Sequence, residues 1–167
     1  MTDNLFIVRQ GDIIEYHLPE FDYIPTWKVI PINLQTTDND MAIMNSGLAR
    51  AFASKYPTAK YTLGVQLSTD GGSTRVFHLG VFGYAHWVAV ATKHSPSDDK
   101  ADMKLIESAL WCLDLQVKRC NNTPVVVLPK LGCGCGKLKW NKVKSLYQRE
   151  LRSTNYIVVD SKGDYDV

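Results

Sequence analysis

The stretch Leu128-Pro129-Lys130-Leu131-Gly132-Cys133-Gly134-Cys135-Gly136-Lys137-Leu138-Lys139-Trp140 constrains this chain more than any other. It follows the apolar run Val125-Val126-Val127 and precedes a segment with helical periodicity. That order predicts a buried strand ending in a glycine-rich loop that leads into a helix. Three glycines in five residues exceed what a turn needs. Without Cβ atoms, backbone N–H groups can turn toward a ligand. A nearby helix start adds spare donors and a positive dipole end. The loop therefore reads as an anion cradle suited to phosphate, rather than a bare connection.

The 167 residues suffice for one domain with a real core. The formal net charge of +2 argues neither for nor against a nucleic-acid or membrane partner. No apolar run approaches the roughly 18 residues of a membrane span. Met1-Thr2-Asp3-Asn4 has neither a basic region nor a signal-like apolar segment. A cytoplasmic, reducing setting is the expectation. The four cysteines, Cys112, Cys120, Cys133 and Cys135, form no pair of Cys-x-x-Cys knuckles. Cys133 and Cys135 read as small residues packed in the loop. His17, His78, His86 and His94 show no metal-ligand spacing, so no metal and no cofactor is expected.

Taken in order, residues 5–9 read as a strand and Gln10-Gly11-Asp12-Ile13-Ile14 as a turn. Asp12 can cap its own loop through an Asx turn or accept from a ligand amine, and local chemistry leaves both open. Residues 15–27 are irregular, with Pro19 and Pro25 breaking any helix. Lys28-Val29-Ile30-Pro31-Ile32-Asn33 is a second strand, with a bulge or strand end expected at Pro31, which supplies no ladder donor. Asn33 then stands at a strand C-terminus, where α/β sheets place ligand contacts.

Met44-Asn45-Ser46-Gly47-Leu48-Ala49 opens a helix that Pro57 ends. Asn45 or Ser46 is its candidate cap, and Gly47 permits close backbone approach. Leu63-Gly64-Val65-Gln66-Leu67 and residues 75–82 read as strands, joined by an Asp70-Gly71-Gly72-Ser73 hairpin. Trp87-Val88-Ala89-Val90-Ala91-Thr92 is uniformly apolar up to Thr92 and reads as a central strand. Lys93 sits at its exit, by residue type alone an ordinary lysine with its amine in water. Ser97-Asp98-Asp99 marks a helix start, and Ile106, Leu110, Leu113 and Val117 recur at helical spacing. Val143, Leu146, Tyr147 and Leu151 mark the next helix. Tyr156–Asp160 is the last strand, and residues 161–167 form a polar tail. The alternation implies an α/β fold with a mixed sheet covered by helices on both faces.

Three familiar motifs fail. A P-loop needs four residues between its glycines and then Lys and Ser/Thr. Here only Cys133-Gly134-Cys135 separates Gly132 from Gly136, and Leu138 stands where the hydroxyl would be. No Gly-x-Gly-x-x-Gly follows the first strand. Ser46 lacks the Gly-x-Ser-x-Gly elbow.

Several segments together resemble the macrodomain family of ADP-ribose-binding proteins. Gly11-Asp12-Ile13 resembles the family's early Gly-Asp-[Ile/Leu]. Val29-Ile30-Pro31-Ile32-Asn33 resembles its strand ending in Asn. Met44-Asn45-Ser46-Gly47-Leu48-Ala49, followed by Phe52 and Tyr56-Pro57, is similar to Met-Gly-x-Gly-[Ile/Val]-Ala before a helix ending in Tyr-Pro. The stretch from Leu128 to Trp140 is similar to Pro-x-[Ile/Leu]-Gly-Cys-Gly-Leu-Gly-Gly-Leu-x-Trp. Thr92-Lys93 resembles the Thr-Lys of the branch holding terminal ADP-ribose glycohydrolases and DNA ADP-ribosyl glycohydrolase antitoxins, in which the lysine is catalytic.

The resemblance implies a single macrodomain over residues 1–167, a three-layer α/β/α sandwich with a mixed central sheet. It implies Lys93 as the catalytic residue. Asp12 would accept from the adenine amine with Ile13 beside it, and Asn33 would contact the distal ribose. Ser46, Gly47 and Leu48, with Gly132, Cys133, Gly134, Cys135 and Gly136, would wrap the diphosphate. The implied partner is ADP-ribose, free or on a modified protein or nucleic acid, for a monomer with no membrane role. The implied activity is hydrolysis of ADP-ribosyl linkages. The alternatives are a non-catalytic reader or a phosphatase acting on ADP-ribose 1″-phosphate. Two departures stand out. Asn45 replaces the family's first glycine, and Gly136 occupies the position where some glycohydrolases of this branch carry an Asp.

Overall fold

The structure, a computed structural model, describes residues 6–17 and 23–161. The expected tail beyond Ser161, the start of the first strand and the middle of the irregular 15–27 segment lie outside the described residues. The elements are β1 (Phe6–Gln10), β2 (Thr26–Asn33), α1 (Gly47–Lys55), α2 (Ala59–Asp70), β3 (Val76–Phe82), β4 (Ala85–Lys93), α3 (Met103–Lys118), β5 (Val125–Leu128), α4 (Trp140–Glu150) and β6 (Tyr156–Asp160). They build one six-stranded sheet in the order β1-β6-β5-β2-β4-β3. Every neighbouring pair is parallel except the β3–β4 hairpin.

The central strands read as unbroken apolar runs because both of their faces are covered. Val125 and Val127 belong to one core with Leu48, Phe52 and Leu63 of α1 and α2. Val126 and Leu128 belong to the other, with Ile106, Leu110, Leu113 and Val117 of α3 and Val143 and Tyr147 of α4. Adjacent residues of one strand thus serve opposite layers. The sandwich is three-layered and the sheet mixed, as expected. No helix among the described residues is long and apolar enough to cross a membrane.

Three sequence expectations are corrected. The segment Leu63-Gly64-Val65-Gln66-Leu67 is the middle of helix α2, not a strand. A short apolar run cannot by itself distinguish the two. Leu63 is buried while Val65 is 61% exposed, so the apolar side chains do not mark one strand face. Gly64 has its own reason: a Cβ there would lie 2.0 Å from the Asp40 carbonyl oxygen, because the loop after β2 crosses the helix at that point. Asp70-Gly71-Gly72-Ser73 is accordingly no hairpin. Gly71, at φ 74°, is the left-handed residue that terminates α2. The real hairpin turns at Gly83-Tyr84, with Gly83 at φ 65°. Finally, α3 begins after Asp102, not at 97–99; its carboxylate accepts from the N–H groups of Lys104 and Leu105 at 2.9 and 3.3 Å.

The irregularity expected near Pro31 falls between Ile32 and Asn33, where the register against β4 shifts. Pro31 is tolerated in a central strand because β5 pairs only with Thr26, Trp27 and Lys28.

Lys28 and Thr92 are the buried polar side chains among the described residues, at 7% and 6% exposure. Burial pushes the Lys28 amine down to about 8, partly offset by the Glu15 and Asp12 carboxylates. The unfolded chain therefore binds more protons than the native one between pH 8 and 10.5. The penalty is full below that window and fades as pH rises through it. Wild-type stability relative to Lys28→Met is expected to rise by roughly 1–3 kcal/mol across the window. Urea midpoints of both proteins at either end of the range check it, and parallel pH profiles would refute it.

Candidate active site

Five parallel strands end side by side, in the order β1, β6, β5, β2, β4. At the usual strand spacing their ends span about 19 Å. The chain leaves β2 for the face carrying α1, and leaves β5 for the face carrying α4. Strand connections that diverge in this way open a crevice at the C-terminal edge of the sheet. A cavity of about 360 Å³ occupies it.

Most of the expected residues meet there. Ile13, Asn33, Ser46, Gly47, Leu48, Lys93, Gly132, Cys133, Gly134, Cys135 and Gly136 all line the cavity. Asp12 does not, although its neighbours Gly11 and Ile13 do. Its exposed carboxylate accepts from the Ile14 N–H at 2.9 Å, which is the Asx turn left open by the sequence. Because strand order fixes position, the Gly11–Ile13 end and the Lys93 end are opposite ends of the crevice, with the glycine loop between them.

The glycine loop is held in place from several sides. The Tyr147 hydroxyl of α4 donates to the Pro129 carbonyl and accepts from the Leu131 N–H at 2.9 Å. Leu138 N–H reaches Gly132 O at 2.8 Å, Lys137 N–H reaches Gly134 O at 2.9 Å, and Ala101 N–H reaches Gly136 O at 2.9 Å. The carbonyls of the three loop glycines are thus engaged. The N–H groups of Gly132, Gly134, Cys135 and Gly136 have no acceptor among the described residues. Across the crevice, Ser46 holds the N-cap position of α1 without making a side-chain cap. The N–H groups of Gly47, Leu48 and Ala49 are likewise without an acceptor. Two sets of donors therefore face one cavity, an arrangement suited to anionic oxygens.

Two of the loop glycines have local reasons to be glycine, a left-handed backbone at Gly132 and lack of room at Gly136. A Cβ at Gly132, at φ 74°, would lie 2.8 Å from Ile106 Cδ1 and from Leu138 Cδ1. One at Gly136 would lie 2.5 Å from Gly132 O and 2.7 Å from Ala101 Cβ. No side chain, acidic or otherwise, fits position 136 in this conformation. The Cys133 thiol is not activated as a nucleophile. The Cys133 Sγ lies 3.5 Å from Leu131 O, and burial pushes its thiol up to about 11, against the pull of Lys130.

Lys93 extends its Nζ toward Cys135 O at 3.4 Å, so the strand-exit lysine reaches across to the glycine loop. Its own carbonyl accepts from Leu34 N–H, and Thr92 O holds the α3 N-cap through Asp102 N–H at 2.8 Å. Asn33 uses both ends of its amide within the chain. Nδ2 donates to Ile43 O at 2.9 Å and Oδ1 accepts from Gln35 N–H at 3.0 Å. It braces the 34–43 loop while keeping one hydrogen and one lone pair.

The cavity also contains residues given no site role from sequence, chiefly Lys130, Trp140 and Asp160. Lys130 pairs with Asp160 at 2.7 Å and lies 5.2 Å from the Trp140 ring centroid. Asp160 ends β6, so the rule that placed Asn33 at a strand C-terminus would have found it.

No family sequence model matches the chain, and no curated protein matches it by sequence. Solved structures do match by shape. The macrodomain of Mycobacterium tuberculosis DarG superposes with a TM-score of 0.68 at 19% identity, covering 92% of this chain and 97% of that one. The macrodomain of Thermus aquaticus DarG gives 0.70 at 19% identity, covering 93% and 97%. Thermosipho africanus DarTG, solved in complex with ADP-ribose, gives 0.66 at 18% identity, covering 80% of this chain and 37% of that one. The chain has the macrodomain fold.

Proposed function

We propose that the crevice binds ADP-ribose and that the protein hydrolyses ADP-ribosyl linkages on protein or nucleic acid, as a member of the DarG-like macrodomain branch. The observation that carries the binding is the convergence of acceptorless N–H groups from the Gly132–Gly136 loop and the start of α1 on one cavity. A diphosphate needs such converging donors and tolerates no bulky side chains between them. With the diphosphate there, adenine lies toward Gly11, Asp12 and Ile13, and the distal ribose toward Asn33 and Lys93. The structure solved with ADP-ribose in Thermosipho africanus DarTG supports the same ligand class.

Hydrolysis follows from Lys93. Water adds its hydroxyl to the anomeric carbon of the distal ribose, the bond to the modified group breaks, and that group leaves with the proton. An ammonium at Lys93 stabilises charge on the departing atom. A neutral Lys93 amine can instead attack the anomeric carbon, with water releasing the sugar afterwards. One observation favours a non-catalytic reader: the packed Gly136 leaves no place for an acid to work beside the lysine.

Calorimetric titration with ADP-ribose tests the binding, and saturable heat well below millimolar ligand is expected. Incubation with ADP-ribosylated protein and ADP-ribosylated DNA tests the chemistry, by release of ADP-ribose. Absence of binding at millimolar ligand would overturn the reading, and binding without release would leave the reader.

A further inference from the structure

Toward the N-terminal end of β2 lies a second cavity, of about 670 Å³. No lining residue is common to the two, although Ile13 lines the first and the adjacent Ile14 the second. Tyr16, Tyr56, Phe82 and Tyr84 give it aromatic walls, with Tyr56 packing 5.1 Å from Phe82 and 5.2 Å from Phe52, and the paired Glu15 and Lys55 side chains also line it. Lys28 also lines it, a side chain with no role in the ADP-ribose crevice.

Lys28 is unusually placed. The residue is 7% exposed, and its Nζ donates to Ile14 O at 3.0 Å beside the Trp87 ring. An ammonium has three hydrogens, and that carbonyl takes one. No carboxylate pairs with it among the described residues. The nearby Glu15 carboxylate is engaged by Lys55. A buried cation without an ion partner is costly in a protein interior, and the lowered amine pKa reflects that cost. An anion inside the cavity would relieve it.

We propose that this cavity is a second ligand site, which takes a planar aromatic anion. The ring lies among Tyr16, Tyr56 and Phe82, and the anionic group accepts from Lys28. A bare inorganic anion fits poorly, because the second cation of the lining, Lys55, is already paired with Glu15, the remaining walls are largely aromatic, and no cluster of backbone donors surrounds Lys28 among the described residues. Tyr84, 96% exposed, stands at the mouth. The proposal does not depend on the ADP-ribose reading of the other crevice.

The test is calorimetry with naphthoate as the probe, on the full chain. Wild type is expected to bind one naphthoate per chain below millimolar concentration, and naphthol, which lacks the charge, about tenfold more weakly. Lys28→Met keeps the length and apolar packing and is expected to lose that same factor for naphthoate. Tyr84→Ala, at the exposed mouth, should weaken binding severalfold without affecting the fold, and guards against a misfolded Met variant. Saturating ADP-ribose should leave the stoichiometry unchanged. Equal naphthoate binding by wild type and Lys28→Met, equal binding of naphthol, displacement by ADP-ribose, or no binding at millimolar probe would each overturn the proposal.

Discussion

Lys93→Ala is expected to slow release of ADP-ribose from a modified protein or DNA by about 100-fold or more, the usual scale for removing a preorganised charge. ADP-ribose affinity is expected to stay within about threefold of wild type. The separation follows from what Lys93 touches. Its Nζ makes a single long contact of 3.4 Å to Cys135 O, which contributes little to holding the loop. The backbone bonds that fix the strand end, Leu34 N–H to Lys93 O and Asp102 N–H to Thr92 O, survive truncation of the side chain. The backbone donors that line the cavity belong to other residues. Single-turnover release measured beside calorimetric titration reads both quantities at once. Unchanged turnover would sink the catalytic role, and parallel loss of affinity and rate would make Lys93 a binding residue. Lys93→Arg separates the two mechanisms. A guanidinium keeps the charge but cannot act as a neutral nucleophile, so partial activity favours leaving-group stabilisation and none favours covalent attack.

Strand-end chemistry was legible in this sequence, and the intervening connections were not. Val125–Leu128 is recognisable because three consecutive β-branched residues stand between Pro124 and Pro129, too short a span for a helix, and the glycine loop follows at once. Asn33 and Lys93 could be placed because each follows an apolar strand. The segment 63–67 was misread because its real determinant is remote: Gly64 is small to let residues 40–42 pass, which no local pattern records. That error produced the false hairpin at 70–73, since a glycine pair ending a helix looks like a glycine pair turning a strand. Asp12 remained ambiguous for a related reason. Its turn-forming bond to Ile14 N–H and a ligand contact require the same residue type in the same place. The motif as a whole carried more than its pieces, because residues dispersed from Gly11 to Trp140 converge on one crevice only through the strand order.

Gly136→Ala is expected to cost both stability and affinity, and it isolates what the glycine loop contributes. The added methyl would lie 2.5 Å from Gly132 O, 2.7 Å from Ala101 Cβ and 2.8 Å from Gly132 Cα. Two of these atoms are backbone, and no rotamer change can move them. The loop must open, which breaks or strains the Ala101 N–H to Gly136 O and Leu138 N–H to Gly132 O bonds. Overpacking of this kind costs about 1–3 kcal/mol, and more where backbone must move. The same displacement turns the N–H groups of Gly134, Cys135 and Gly136 away from the cavity. Each charge-assisted bond lost to a phosphate oxygen costs about 1.5–3 kcal/mol, so affinity for ADP-ribose should fall at least tenfold. Gly136→Asp installs the acid that the resemblance to the glycohydrolase branch points to at this position, yet it meets the same walls. It should lose as much stability as the alanine variant and gain no turnover. Urea denaturation and calorimetry on the two variants decide the matter. Wild-type stability with wild-type affinity in Gly136→Ala would mean that the loop opens at little cost, and that its tight packing does not set the geometry of the phosphate donors.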